Sequence, residues 1–274
     1  MQRWVLKIGG NELESEEFLE GLTRTVGALR AKAQPIIVHG GGSKIAQIQG
    51  LLGLEARFID GLRVTDEESL QVAEMVLSGT TNKRLTARLV AAGIPAMGLS
   101  GVDWGLLRAE RLIHPAGDLG MVGRIVSVNA QGLETILRNG LVPVISPISL
   151  GLDGKTYNVN ADHAATAIAP AMHASALVFV TNVPGVVVGN RTVPLLDPGQ
   201  AENLVASGTI NGGMTPKIRS ALKAVSAGVP EVRITDLRGL LDGGGTRVTG
   251  ARAPTPGTQA SEPIRLRKEV TSWC

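Results

Sequence analysis

The chain has 274 residues, a formal net charge of +3, 3% aromatic residues and a single cysteine, Cys274. That length suits one large α/β domain or two lobes, and a lone terminal thiol excludes a disulfide framework and a cysteine-rich zinc site. Basic residues are interspersed with acidic ones and stacking aromatics are scarce, which argues against nucleic acid. No apolar run reaches the roughly 18 residues of a membrane span, so the expectation is a soluble cytoplasmic protein whose mild positive bias suits anionic ligands.

Taken in chain order, residues 4–8 read as a strand, 16–31 as a helix, 35–38 as a strand and 43–52 as a helix. The apolar spacing then predicts one long helix over 67–92 and a strand at 96–99. Residues 106–112 and 121–128 alternate in polarity and predict a β-hairpin standing off the main sheet. A helix at 132–138, a strand at 142–146, a helix at 162–172, a strand at 176–181, a helix at 214–227 and a strand at 232–235 complete the pattern. Short apolar runs alternating with amphipathic segments imply βαβ units and a mainly parallel sheet. Residues 251–274 carry too little apolar content to repay ordering and are read as a flexible tail.

Glycines at strand ends carry the chemistry. The run His39-Gly40-Gly41-Gly42 closes a strand and opens a helix, so bare backbone N–H groups can approach an anion. His39 has no partner at metal-ligand spacing and reads as a packed, hydrogen-bonding side chain. Gly9 and Gly10 follow Lys7, whose position at a strand end points its ammonium toward the crevice where such sheets bind ligands. Gly212 and Gly213 precede a helix with Lys217 in its first turn, where the helix dipole disfavours a cation unless an anion is bound nearby. Three glycine-plus-cation sites fit one polyanionic ligand. Asn158, Asn160 and Asp162 lie within a few residues before a helix; one of the latter two is an N-cap, and the aspartate could orient both lysines. Arg63, in a turn, can take a carboxylate bidentately. The Gly-Leu-Asp-Gly-Lys-Thr at 151–156 resembles a P-loop, but it lacks the distal glycine and the following helix and is read as a turn.

Several blocks in register resemble the acetylglutamate kinase branch of the amino-acid-kinase superfamily: Lys-Ile-Gly-Gly-Asn at 7–11, Val-His-Gly-Gly-Gly at 38–42, Gly-Leu-Arg-Val-Thr-Asp at 61–66, Asn-Lys-Arg-Leu at 82–85, Gly-Leu-Ser-Gly at 98–101, Tyr-Asn-Val-Asn-Ala-Asp at 157–162 and Gly-Gly-Met-Thr-Pro-Lys at 212–217. The resemblance implies a three-layer αβα sandwich. Residues 1–173 would form a lobe binding the N-acyl amino acid and making the dimer, and 174–250 a lobe binding ATP. It implies Lys7, Asp162 and Lys217 as catalytic residues; Gly41, Gly42, Arg63 and Asn158 at the acyl amino acid; and Gly9, Gly10, Thr181, Asn182, Gly185 and Gly213 at the nucleotide. ATP and Mg²⁺ are the implied cofactors, N-acetylglutamate the implied substrate, and no metal is assigned to side chains. Replacing Lys7 or Lys217 is expected to lower turnover far more than stability.

Two positions depart from the branch: Asn182 stands where an aspartate is usual, and Val102 where a lysine is common. Asn182 also resembles kinases of the aminoadipate route to lysine, which act on a carrier-linked substrate, and that is the alternative reading. Arginine-inhibited members resemble this chain but carry an extra N-terminal helix. Lys7 lies too near Met1 for one, and the expectation is a homodimer insensitive to arginine.

Overall fold

The computed structural model describes residues 1–250; the predicted tail at 251–274 lies outside the described residues. β1 (Gln2–Ile8) leads through α1 (Glu16–Leu29) to β2 (Ala33–His39), which runs directly into α2 (Gly42–Leu51). A short hairpin of β3 (Phe58–Ile59) and β4 (Leu62–Arg63) precedes α3 (Glu67–Glu74), α4 (Asn82–Ala91) and β5 (Ala96–Ser100). Next come β6 (Leu107–Arg111), β7 (Gly123–Val128), α5 (Ala130–Arg138), β8 (Val142–Ser146), β9 (Ile148–Gly151), β10 (Thr156–Asn158) and α6 (Ala161–Ala171). β11 (Ala176–Val180), β12 (Val187–Val188), β13 (Arg191–Thr192), β14 (Leu195–Leu196), α7 (Pro198–Ala206), α8 (Met214–Ser226), β15 (Glu231–Thr235), α9 (Leu237–Asp242) and β16 (Thr246–Val248) follow.

One eight-stranded sheet runs β14-β16-β15-β11-β1-β2-β8-β5, parallel at every pairing except β15 with β16. Its central strands are apolar on both faces because both are covered. Val5, Ile36, Val38, Leu177 and Phe179 pack under α6 and α8, against Ala165, Ile168, Ile218 and Ala221. Their strand neighbours Leu6, Ile37, Val178 and Val180 pack under α1 and α4, against Leu22, Val26, Leu85 and Leu89. The mainly parallel αβα sandwich is therefore present. Because side chains alternate, Lys7 shares the Val5 face and points toward α6. The connection from β1 passes over one face through α1, and that from β11 over the other through α8. The sheet thus changes winding direction between β1 and β11, where open α/β sheets bind ligands at the strand C-termini.

The predicted hairpin forms from β6 and β7, and β9 and β10 extend it into a four-stranded sheet. The P-loop lookalike is the turn between β9 and β10, with Gly154 at φ +81° and a strand after it. The helix predicted over 67–92 forms as one uninterrupted run from 67 to 91, but its middle, Met75–Thr81, is π-helical and lies between α3 and α4. Among the described residues no helix is long and apolar enough to cross a membrane.

Candidate active site

β1 and β2 are parallel with Ile8 opposite His39, so two glycine turns leave the sheet side by side. They touch. A Cβ on Gly10 would stand 2.5 Å from the Gly41 nitrogen and 2.6 Å from its Cα, a spacing only hydrogen tolerates. The Gly40 N–H donates to the Ile8 carbonyl at 3.0 Å. Beneath the turn the His39 ring is fully buried, and this burial pushes its pKa down to about 4, which leaves it neutral. Nδ1–H donates to the Gly40 carbonyl at 3.0 Å, and Nε2 accepts from Asn82 Nδ2 at 3.0 Å. Asn82 also reaches the Leu99 and Val144 carbonyls at 3.1 and 2.9 Å, tying β2, β5 and β8 together below the glycines. Asn82 was legible only as part of a helical block; it directly follows the π-helical segment Met75–Thr81.

Helix starts differ in a way that marks the site. α1, α3, α5, α6, α7 and α9 each begin on a Ser, Asp or Asn whose side chain accepts a backbone N–H. α2 and α8 begin on Gly41 and Gly213, with no side-chain cap and no acid in the first turn. At α2 the first N–H groups are therefore free for an anion at the positive end of the helix dipole. At α8, by contrast, the Met214 N–H donates to the Asn211 carbonyl at 3.3 Å and Pro216 has none. Beside α2, Arg63 donates to the Gly42 carbonyl at 2.9 Å and to Gln49 Oε1 at 2.6 Å, and its guanidinium stacks 4.7 Å from the Phe58 ring centroid. Gln49, itself buried and donating to Ser69, is a support that sequence reasoning missed. Asn158 projects from β10 and donates to the Thr65 hydroxyl at 3.2 Å.

The start of α6 resolves the choice between Asn160 and Asp162. Asn160 is the cap, accepting from the N–H groups of Asp162 and His163 at 2.8 and 3.4 Å. The Asp162 carboxylate is thus free to meet Lys7, whose Nζ lies 2.8 Å from Oδ1, with both side chains only 7% exposed. Lys217, half-buried in the first turn of α8, donates to the Gly213 carbonyl at 3.3 Å. Burial lowers its pKa, the Lys7 charge lowers it further, and Asp162 and Glu12 act in the opposite direction. The two lysines lie within reach of each other's field.

Lys7, Gly10, Gly41, Gly42, Arg63, Asn158 and Asp162 share one cavity of about 220 Å³. Thr181 and Asn182 line a neighbouring crevice of about 970 Å³ between α1 and α9. Gly9 lies beneath Glu12, whose carboxylate would be 1.9 Å from an added Cβ. Gly9, Gly185, Gly213 and Lys217 line neither space. Gly185, at φ +151°, is packed so closely that a Cβ would be 2.7 Å from both Thr192 and Thr246, whereas Gly213 is open. The buried Lys7, the bare start of α2 and Arg63 can hold two anionic groups against each other and screen their repulsion.

The Amino acid kinase family model matches residues 2–236. Acetylglutamate kinase from Roseiflexus sp. (strain RS-1) is 51% identical over 245 residues, covering 89% of this chain and 93% of that one. Acetylglutamate kinase from Chloroflexus aurantiacus is 50% identical over 248 residues, covering 89% and 96%. Among solved structures, the smu.665 protein of Streptococcus mutans UA159 superposes with a TM-score of 0.78 at 30% identity, covering 90% of this chain and 98% of that chain. With the family model matching residues 2–236, from β1 through β15 and all three glycine turns, the chain belongs to the amino acid kinase family.

Proposed function

We propose that this protein is an acetylglutamate kinase of arginine biosynthesis, transferring the γ-phosphoryl group of ATP to the γ-carboxylate of N-acetyl-L-glutamate. The observation that carries the reading is the buried Lys7–Asp162 pair at 2.8 Å, set on the wall that also presents Gly10, Gly41 and Arg63. A side-chain carboxylate is ionised at neutral pH and needs no general base. Catalysis then consists of alignment and charge screening. Arg63 and Asn158 would hold the α-carboxylate and amide, and the N–H groups of Gly10, Gly41 and Gly42 the incoming phosphoryl oxygens. A γ-carboxylate oxygen bonds to phosphorus as the bond to the β-phosphate oxygen breaks, and the leaving charge stays on ADP. Lys7 and Lys217 would neutralise charge on the group in transit, with Asp162 keeping Lys7 in place.

ATP would lie toward the 174–250 lobe, with Gly9, Thr181, Asn182, Gly185 and Gly213 as its candidate contacts. Mg²⁺ would enter on the nucleotide and screen its phosphates: among the described residues no group of three or more His, Cys, Asp or Glu could hold a metal ion, so phosphate oxygens would supply most of its ligands. A cytoplasmic homodimer is the proposed state, made by the 1–173 lobe. β5 is one of the two edge strands of the large sheet, and it presents exposed Met97 with Trp104 and Val90 nearby in the chain.

The test is ATP-dependent acyl-phosphate formation trapped with hydroxylamine, comparing N-acetylglutamate, N-acetylaminoadipate and free glutamate. N-acetylglutamate should give the highest kcat/KM. Preference for either of the others, or no hydroxamate at all, rejects the assignment.

A further inference from the structure

Arg63 and Asn158, the two residues read as gripping the acyl amino acid, stand on separate strands, and one buried side chain joins them. Thr65 is fully buried and lines neither cavity. Its hydroxyl donates to the Arg63 carbonyl at 3.0 Å and accepts from Asn158 Nδ2 at 3.2 Å. The backbone repeats the link: the Met121 N–H donates to the Thr65 carbonyl at 2.6 Å, and the Met121 carbonyl accepts from the Asn158 N–H at 2.9 Å. The Thr65 N–H in turn donates to the Leu119 carbonyl at 3.0 Å. The end of β4 and the end of β10 are thereby tied together through the residues that precede β7.

Polarity runs one way along this chain of hydrogen bonds. In the β3–β4 hairpin the Val64 N–H donates to the Arg57 carbonyl, so the adjoining Phe58–Arg63 pair is the kind that exchanges no hydrogen bonds. The Arg63 carbonyl therefore has no partner across the hairpin. A carbonyl only accepts, and the one hydroxyl proton of Thr65 is committed to it. Toward Asn158 that hydroxyl can then only accept, which turns Nδ2 of the amide to Thr65 and leaves Oδ1 for the cavity that Arg63 and Asn158 both line. An acceptor there suits a ligand's amide N–H, whereas a ligand offering only a lone pair leaves it unpaired.

We propose that Thr65 is a positioning residue: its hydroxyl fixes Asn158 as the acceptor for the amide N–H of the substrate and ties that acceptor to the strand carrying Arg63. Its kinetic consequence rests on the kinase reading; the hydrogen-bonded chain itself does not. The arrangement favours an acylated nitrogen that keeps its hydrogen over an ester oxygen in the same place.

The experiment compares the wild type with Thr65→Val, which keeps the shape and removes the hydroxyl, and Thr65→Ser, which keeps the hydroxyl and removes the methyl. The first readout uses no ligand: solvent exchange of the Asn158 Nδ2 protons, followed by nitrogen-edited NMR on the full chain. In the wild type these protons should exchange about fivefold more slowly than those of the exposed Asn203. Valine should remove that protection and serine should keep it. Equal exchange at the two asparagines of the wild type, or protection surviving in the valine variant, overturns the inference whether or not the protein turns over. The second readout is steady-state kinetics with N-acetylglutamate and with 2-acetoxyglutarate, in which oxygen replaces the amide N–H. Valine should raise KM for N-acetylglutamate about tenfold, with kcat and KM for ATP within twofold, and shrink the preference for amide over ester about fivefold. Serine should match the wild type. If serine is impaired and valine is not, or if valine leaves the amide preference intact, Thr65 acts through packing and the inference fails. An inactive wild type rejects the kinase reading and leaves exchange to decide the hydrogen-bonded chain.

Discussion

The backbone N–H of Asp162 donates to the Asn160 side chain at 2.8 Å, so one residue caps α6 while its near neighbour is left free to meet Lys7. Two polar residues that look interchangeable in sequence thus have different tasks. An N-cap satisfies helix N–H groups locally, whereas the aspartate is buried and needs a distant cation.

Removing one partner of the Lys7–Asp162 pair leaves an uncompensated buried charge, which costs about 3–5 kcal/mol. Lys7→Met and Asp162→Ala should each lower stability by that order and abolish measurable hydroxamate formation. This revises the expectation that Lys7 replacement spares the fold. Lys217→Ala, by contrast, loses only the Gly213 contact of a half-buried side chain. Its kcat should fall by at least about 100-fold, within the range for a lost electrostatic stabiliser, with its denaturation midpoint close to wild type. Urea unfolding alongside the assay separates the two behaviours, and equal destabilisation in both would contradict the assignment.

Gly10→Ala should be severely destabilising, since its Cβ would meet the Gly41 backbone at 2.5–2.6 Å and backbone cannot yield as a side chain does. Overpacking of this kind costs about 1–3 kcal/mol or more. Gly42→Ala is the control, because nothing lies within 4 Å of its added Cβ. It should melt within a few degrees of the wild type by calorimetry. Equal melting temperatures for the two variants would show that the glycine turns do not touch.

Arg63→Lys keeps a charge but cannot bond Gln49 and Gly42 together or stack flat on Phe58. KM for N-acetylglutamate should rise by roughly 10-fold or more while KM for ATP changes little. A rise confined to the ATP constant would place Arg63 at the wrong ligand.

His39 carries a pH prediction with a definite sign. Its pKa is pushed down to about 4 from 6.5 by burial, so the unfolded chain binds more protons between those values. Stability from this site is fully present above about pH 6.5 and is lost as pH falls toward 4, by roughly 3 kcal/mol. His39→Gln removes that dependence. The gap in unfolding free energy between wild type and variant should narrow from pH 7 to pH 4; a gap constant with pH would mean the imidazole is not held neutral by the fold.

What local sequence determined is what local physics controls. The strand–glycine–helix junctions at Lys7–Gly10 and His39–Gly42 were readable because a buried parallel strand is continuously apolar and a close backbone approach requires glycine. The β6–β7 hairpin was readable from its alternation. The π-helical segment was not, because its wider turn leaves the spacing of apolar residues helical, and neither was the burial of Asn82. Asn160 and Asp162 could not be told apart from their local sequence. Those assignments depend on which strand lies beside β1, on which face Lys7 emerges and on α6 crossing above it. Ion pairs and buried hydrogen bonds join side chains far apart in the chain, so their partners exist only once the sheet order has closed the distance.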